Sequence, residues 1–399
     1  MYKANSVKLY INSADVVFLP RKRLPPMKPF VPQGLPIPGI DLVRFMPALG
    51  EANRSLARYD DLIQKTPTPT ALLIPMLARR EALDSCRIEG FQSTLSDVFH
   101  FEEDENIAET NAQRDELQEI LNHASAAHLA AAELENRSFT LNLMKTLHAR
   151  LLNSGRGQRK NPGQFRTIQN WIGREGTPME QASFVPPEPL RVPEYMEQWE
   201  RFYHSGQPDI LMQAAILHAQ FELIHPFMDG NGRLGRLLIP VFLRGKKVLS
   251  GLNFYPSAYL DRHRAAYMDC LRGLGTNRPD EWHRWIAFFL EALTTQARQD
   301  SETVVQITEL YENAKKRFLD LTQSRLAIPL LDAIFNKPLF RTSYLNKRLA
   351  VLEKPPTAPT LSSLLSKLTE GGVLVMREPR KGRRGALYEF SGLLELLED

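Results

Sequence analysis

Apolar residues recur at helical spacing through most of the chain, and this pattern predicts a mainly α-helical protein. In the stretch Asp209–Leu223, for example, apolar side chains three and four residues apart fall on one face. Pro75 suits the first turn of a helix and Gly90 its end. Helices are predicted at about 42–64, 75–89, 110–134, 139–154, 192–205, 209–224, 234–245, 255–272 and 279–322, the last as one or two long helices.

Two segments depart from the helical pattern. Residues 1–41 contain seven prolines, which predicts an extended arm lying on a surface. Residues 155–187 are rich in glycine and proline around the β-prone stretch Phe165–Gly173, which predicts a hairpin.

The loop between the predicted helices 209–224 and 234–245 belongs to the sequence His-Pro-Phe-Met-Asp-Gly-Asn-Gly-Arg-Leu-Gly-Arg, residues 225–236. Gly230 and Gly232 supply the positive φ angles of a tight turn. Backbone N–H groups of such a loop, and of the following helix N-terminus, bind anions. Arg233 and Arg236 share one helix face and suit successive phosphates. The pattern therefore predicts a polyphosphate site.

Two further residues of the loop could carry chemistry. Asp229 is a lone carboxylate, and Mg²⁺ beside a polyphosphate takes one or two carboxylates together with phosphate oxygens. The unperturbed pKa of histidine suits His225 to a general base near neutral pH. Each residue alone is weak evidence, and it is the combination that carries the prediction.

Residues 225–236 resemble the Fic-family signature His-x-Phe-x-(Asp/Glu)-Gly-Asn-Gly-Arg-x-x-Arg at every specified position. The resemblance implies a protein adenylyltransferase. Such an enzyme moves AMP from ATP to a Ser, Thr or Tyr hydroxyl of a target protein, or of itself, and releases pyrophosphate. It further implies that His225 deprotonates the hydroxyl and that Asp229 holds Mg²⁺.

The same resemblance assigns the phosphates of ATP. Asn231 and the loop amides, including those of Gly230 and Gly232, would hold the α-phosphate. Arg233 would meet the β-phosphate and Arg236 the γ-phosphate.

Ser85 and Glu89 lie one turn apart on one helix face, just before Gly90. From residue types alone, this is a helix end with a solvated glutamate. Ser85–Gly90 also resembles the inhibitory motif of the Fic family, (Ser/Thr)-x-x-x-Glu-(Gly/Asn), in the class with an N-terminal inhibitory helix. That resemblance implies that Glu89 pairs with Arg236 and keeps the isolated protein autoinhibited.

In the Fic resemblance, residues 163–187 form a β-hairpin flap that docks the target's backbone by strand addition. A purely structural hairpin is the alternative. The resemblance also places an aromatic and an asparagine side chain from Asn253–Tyr259 beside adenine and ribose.

Residues 320–399 predict a winged helix-turn-helix. Its helices are expected at Ile328–Phe335, from about Thr342, which is a candidate N-cap, and at Leu361–Leu368 after Thr357. A basic loop, Arg377–Arg384, would form the wing. DNA binding and a protein-contact or dimerisation role remain open, because Lys367 is the one basic residue of the candidate recognition helix.

Length and composition complete the domain assignment. The 399 residues divide into an N-terminal arm and helices (1–110), with the inhibitory helix at about 75–90, a Fic catalytic core (111–300) and the winged helix (320–399). The net charge of +4 does not by itself imply nucleic acid. Cys86 and Cys270 predict buried free thiols in a reducing compartment. Neither a signal peptide nor a membrane span is recognisable, so a cytoplasmic location is expected.

Two alternatives to adenylylation follow from the same residues. The site could transfer another group, such as UMP or phosphate, or remove AMP. The chain could instead be a DNA-binding regulator whose core senses a nucleotide, although mere binding needs no base such as His225. A homodimer is compatible with the sequence.

Overall fold

The computed structural model describes residues 28–173, 176, 178–382 and 384–398, and the predicted mainly α fold is confirmed there. The helices are α1 (Met46–Lys65), α2 (Thr70–Ile88), α3 (Leu95–Glu103), α4 (Asn111–Asn136), α5 (Leu141–Leu151), α6 (Val192–His204), α7 (Ile210–Ile224), α8 (Asn231–Gly245), α9 (Ser257–Arg262), α10 (Arg264–Leu274), α11 (Pro279–Thr322), α12 (Ala327–Asn336), α13 (Thr342–Leu349), α14 (Ala358–Glu370) and α15 (Ser391–Glu398). The strands are β1 (Leu339–Arg341), β2 (Val375–Glu378) and β3 (Leu387–Glu389). None of the described helices is both long and apolar enough to cross a bilayer.

Helix α7 runs through the middle of the catalytic part and is buried on nearly all sides. The Asp209 carboxylate begins it by accepting hydrogen bonds from the N–H groups of Leu211 and Met212, at 2.8 and 3.0 Å. Helices α8, α6, α10 and α11 pack around it. Because α7 ends at the loop that precedes α8, this core fixes where the loop sits.

Several predicted boundaries differ from the observed ones. Helix α2 begins at Thr70, so Pro75 lies inside the helix and not in its first turn. The predicted helix 255–272 is two helices, α9 and α10, with His263 between them. The range 279–322 is one helix of 44 residues.

Three elements were not predicted: α3, β1 and α15. Helix α3 does carry a local signal, since Thr94 and Asp97 form a reciprocal capping box at its start. Strand β1 has three residues, too few for a recognisable alternation.

The predicted flap is closed by a single antiparallel bridge, between Ile172 and Phe184, and its described residues form no regular strand. The arm 28–41 contacts it. The Phe30 N–H donates to the Val185 carbonyl at 2.9 Å, and the two rings of Phe30 and Phe184 lie 5.3 Å apart. The remainder of the predicted arm, residues 1–27, lies outside the described residues.

The C-terminal unit contains the helices and the strand pair expected of a winged helix, together with β1. Its antiparallel sheet has the order β1-β3-β2. Thr357 caps α14 as predicted, accepting from the Thr360 N–H, whereas Thr342 is the first residue of α13 and not its cap. The assignment of this unit as a winged helix stays a prediction.

Two hydrophobic cores meet at α2. Leu77 and Ile88 belong to the core around α7, whereas Leu73, Met76 and Leu83 belong to a second core formed with α3 and the C-terminal unit. Cys86, also in this second core, and Cys270 are buried free thiols, as predicted.

Candidate functional site

The loop 225–230 turns the chain from α7 into α8 through two left-handed residues. His225 (φ +49°) ends α7, and Gly230 (φ +71°) precedes α8. Only Gly230 of the Gly-Asn-Gly sequence is outside the helix, because α8 begins at Asn231. The orphan N–H groups of the first turn of α8 therefore belong to Asn231, Gly232 and Arg233.

Phe227 and Asn231 hold the loop in shape. Phe227 is fully buried, and its backbone N–H and C=O pair with Oδ1 and Nδ2 of Asn231, both at 2.9 Å. The amide side chain is thus already committed to the loop. Asn231 was predicted to hold the α-phosphate. Because its side chain is already bonded to Phe227, only its backbone N–H could make that contact.

Gly232 allows Arg236 and Glu89 to approach the loop closely. A Cβ at position 232 would lie 2.8 Å from Nη1 of Arg236 and 3.0 Å from Oε1 of Glu89. A side chain here would displace one of the two, so the site needs glycine at this position.

The Arg236 guanidinium is buried, with 1% of the residue exposed. Its Nε donates to Ser85 Oγ at 2.8 Å, and its Nη2 donates to the Ser85 carbonyl at 2.8 Å and to Glu89 Oε1 at 2.9 Å. The end of α2 therefore supplies three acceptors. The structure places Glu89 on Arg236, the pairing that the family resemblance implied, and adds Ser85 as a second partner.

Arg233 is also bound by carboxylates, which the sequence did not predict. Its Nε lies 3.1 Å from Glu89 Oε2, and its Nη1 donates to Glu119 Oε2 at 2.6 Å. Nη2 is 3.6 Å from Asp229 Oδ1. Glu89 thus bridges both arginines of the loop, one with each carboxylate oxygen.

The ionisation of Glu89 follows from this bridge. Burial alone would raise the pKa of the Glu89 carboxyl, but Arg233 and Arg236 outweigh it and hold the pKa below its ordinary value. Glu89 is therefore a carboxylate at neutral pH, and its negative charge is shared between Arg233 and Arg236.

His225 is held by Arg166, which the sequence did not single out. Arg166 Nε donates to the His225 carbonyl at 2.9 Å, and Nη2 donates to the Pro187 carbonyl at 2.5 Å. This cation complements the C-terminus of α7 and ties the flap to the loop. Burial, together with the charge of Arg166, lowers the pKa of His225 to about 4, so its imidazole is neutral at pH 7.

His148 on α5 supports the loop from the other side. Its Nδ1 accepts from the Gly163 N–H at 2.8 Å, so Nε2 carries the proton and donates to the Asp229 carbonyl at 2.9 Å. Its ring stacks on Phe227 with centroids 3.8 Å apart. His148 thereby joins the start of the flap segment to the loop.

Asp229 has the carboxylate expected of the single protein ligand to a Mg²⁺ ion. One of its oxygens accepts from the Gly230 N–H at 2.6 Å, and the side chain is 36% exposed. The described residues contain no cluster of three or more metal-binding side chains. Asp229 thus fits a Mg²⁺ ion whose other ligands are water and phosphate oxygens.

A cleft of about 450 Å³ opens above these groups. It is lined by the polar groups of Glu89, His225 and Arg236 together with Gly232, and by the apolar side chains of Trp171, Ile172, Phe184, Met268 and Leu271.

The predicted adenine contacts are not part of this cleft. Asn253 and Tyr255 are buried beside α2, close to Glu81 and Asp300. The Tyr59 hydroxyl on α1 donates to the Asn253 carbonyl and helps to hold this segment there. Tyr267 on α10 is the tyrosine that lines the cleft. Glu222 also lines it, and burial raises the pKa of this carboxyl to about 7.

Two family models match the chain. Residues 138–243 match the Fic/DOC family and residues 46–132 match the Fic/DOC family N-terminal region. These matches identify the part of the chain that carries the loop and the α2 contacts as a Fic/DOC unit.

Individual relatives agree with this assignment. A probable protein adenylyltransferase of Aquifex aeolicus is 29% identical over 133 residues, 33% of this chain and 37% of that protein. Protein adenylyltransferase Fic of Drosophila grimshawi is 32% identical over 163 residues, 40% of this chain and 31% of that protein. The chain thus spans roughly a third of the length of these relatives.

Among solved structures, a Fic family protein from Desulfovibrio desulfuricans G20 superposes with a TM-score of 0.55 at 21% identity. The match covers 88% of this chain and 97% of that one, and it supports the fold.

The environment of His225 predicts the pH at which its imidazole gains a proton. Because burial and Arg166 lower its pKa, the imidazole should stay neutral as the pH falls from 8 to 5 and should gain a proton only near pH 4. NMR titration of ring-labelled histidines measures this, and a His225→Asn variant assigns the signal. A midpoint near the ordinary value of about 6.5 would contradict the described environment.

Proposed function

We propose that this chain is a protein adenylyltransferase that is held inactive by Glu89. One observation carries the proposal: a neutral histidine, the start of α8 and the buried Arg236 line one cleft, and the Glu89 carboxylate in that cleft bridges Arg236 and Arg233. The names of the relatives from Aquifex aeolicus and Drosophila grimshawi support the activity.

In the proposed reaction, His225 takes the proton of a Ser, Thr or Tyr hydroxyl on the target protein. The hydroxyl oxygen then bonds to the α-phosphorus of ATP, and the bond from that phosphorus to the β-phosphate bridging oxygen breaks. AMP is left on the target, and pyrophosphate leaves. The low pKa of His225 keeps its base form available at neutral pH.

The phosphates are held by fixed donors. The N–H groups at the start of α8 face the α-phosphate, Arg233 meets the β-phosphate and Arg236 the γ-phosphate. Fixed donors of this kind stabilise the charge that moves to the leaving group. Glu119 keeps Arg233 in place from behind.

Asp229 would hold Mg²⁺ against the phosphates. When bound, the ion would neutralise charge on the phosphate oxygens as pyrophosphate departs. His148 holds the backbone carbonyl of Asp229, and the Gly230 N–H holds one of its carboxylate oxygens.

The flap is the proposed docking edge for the target. Trp171 and Ile172 are 42% and 40% exposed and line the cleft, so they offer apolar surface beside it. A target segment lying along them by strand addition would bring its hydroxyl to His225. Arg166 fixes the distance between flap and histidine.

Autoinhibition follows from the occupancy of the arginines. With Glu89 in place, a γ-phosphate would compete with a carboxylate for Arg236, and the two negative charges would repel each other. ATP could bind only with its phosphates displaced from the in-line geometry, and a displacement of about 1 Å costs roughly 10²-fold in rate.

Transfer of another group, or removal of AMP, uses the same base and loop. The intact set of Gly230, Gly232, Arg233 and Arg236 favours a nucleoside triphosphate as the donor. Homodimerisation stays a prediction.

For the C-terminal unit, we propose contact with protein and not with DNA. Arg377 in the predicted wing is bound to Glu389 by two hydrogen bonds of 2.6 Å, and Arg384 is paired with Asp104 after α3. These cations are already neutralised within the chain. Among the described wing residues, Arg380 and Lys381 remain for phosphates, which is little charge for a DNA interface.

The first test replaces the inhibitory carboxylate. Glu89→Gly should raise automodification with labelled ATP by roughly 10²-fold, because Arg233 and Arg236 are then open to phosphates. Intact-protein mass spectrometry identifies the adduct as AMP or another group.

Two controls separate this effect from a general destabilisation of the protein by a glutamate-to-glycine change. Glu109→Gly removes an exposed glutamate outside the site and should leave the rate at the wild-type level. Glu89→Gly combined with His225→Ala should be inactive. An unchanged rate in Glu89→Gly would sink the autoinhibition proposal, and an adduct other than AMP would sink the adenylyltransferase proposal.

The C-terminal proposal is tested with the full chain in a gel-shift experiment on duplex DNA. We expect no complex at low ionic strength, because the paired wing arginines release few counterions. A salt-sensitive complex that disappears in an Arg380→Ala, Lys381→Ala variant would show that the wing binds DNA.

A further inference from the structure

The groups that contact Arg236 come from two parts of the molecule. Ser85 and Glu89 lie at the end of α2, the helix whose withdrawal would open the site. Tyr267 lies on α10 in the catalytic core and lines the same cleft as Arg236, and the nearby guanidinium acts to lower the pKa of its hydroxyl. Tyr267 would therefore remain beside Arg236 after the end of α2 had moved.

The hydrogen bonds behind Tyr267 set the direction of its hydroxyl. His218 Nδ1 lies 3.0 Å from the Gly235 carbonyl, and His218 Nε2 lies 2.9 Å from the Tyr267 oxygen. A carbonyl can only accept, so Nδ1 carries the proton. Burial lowers the pKa of His218 to about 3, so Nε2 is unprotonated at neutral pH and accepts from the Tyr267 hydroxyl.

It follows that the Tyr267 oxygen presents lone pairs to Arg236. Its proton is already donated to His218, and Arg236 is a donor with no acceptor of its own. Burial and the Glu222 carboxyl raise the pKa of Tyr267 against the opposing effect of Arg236, so the phenol stays protonated. Tyr267 is 1% exposed, which leaves the hydroxyl little freedom to turn away.

Arg233 shows the same division of partners. Glu89 reaches it from the end of α2, whereas Glu119 holds it from α4 with a 2.6 Å hydrogen bond. Each arginine of the loop thus has one support within the catalytic core. Neither Glu119 nor Tyr267 belongs to residues 225–236.

We propose that Tyr267 is a positioning residue for Arg236. Its hydroxyl, oriented by His218, keeps the guanidinium aimed at the terminal phosphate of a nucleoside triphosphate once Ser85 and Glu89 have withdrawn. This inference rests on the proposed function, because it assigns the γ-phosphate to Arg236.

The test measures nucleotide binding in the Glu89→Gly background, with Mg²⁺, by isothermal titration calorimetry. Tyr267→Phe removes the hydroxyl and keeps the ring. ATP affinity should fall roughly tenfold, the usual effect of losing a hydrogen bond to a charged group. ADP lacks the γ-phosphate, so its affinity should change less than about twofold. The ratio of ATP affinity to ADP affinity should therefore fall by nearly as much as the ATP affinity itself.

Tyr255→Phe is the matched control. Its hydroxyl donates to the Leu252 carbonyl at 2.9 Å away from the cleft, so this variant should keep the ratio of the Glu89→Gly parent. An unchanged ratio in Tyr267→Phe, or an equal loss of ATP and ADP affinity, would overturn the positioning role. Failure of the Glu89→Gly parent to bind either nucleotide would instead overturn the proposed function, and this inference with it.

Discussion

The buried guanidinium of Arg236 is the constraint on which the rest of the site depends. A charge with 1% of its residue exposed must have partners, and removing one side of a buried ion pair typically costs about 3–5 kcal/mol. In this structure the end of α2 supplies those partners through Ser85 and Glu89. A phosphate could replace them but could not share the position. In the proposed function, inhibition and nucleotide binding therefore compete for the Arg236 guanidinium.

The position of α2 explains why the contact between Glu89 and Arg236 is well held. One side of the helix, with Leu77 and Ile88, packs into the catalytic core, and a neighbouring set of side chains that includes Met76 and Leu83 packs with the C-terminal unit. Arg79 on α2 bonds Glu102 on α3 at 2.9 Å, and Lys337 of the C-terminal unit lies 3.6 Å from the same carboxylate. Moving Glu89 thus involves a helix anchored on both sides.

Much of the site could be predicted because its signals are local. Residues 225–236 and Ser85–Gly90 are short runs whose spacing defines their geometry. Glu119, His148, Arg166 and Tyr267 could not be predicted, because each reaches the loop from a distant helix or from the flap by tertiary packing. The start of α2 was misjudged because proline at a first turn is a preference, which packing overrode at Pro75.

The competition for Arg236 is tested most directly by two crystal structures. The wild-type chain and the Glu89→Gly variant would each be solved with Mg²⁺ and a non-hydrolysable ATP analogue. In the variant, the γ-phosphate should lie within hydrogen-bonding distance of the Arg236 guanidinium. In the wild type, Arg236 should remain on Ser85 and Glu89, with the γ-phosphate displaced. A γ-phosphate bound to Arg236 while Glu89 keeps its place would contradict the competition.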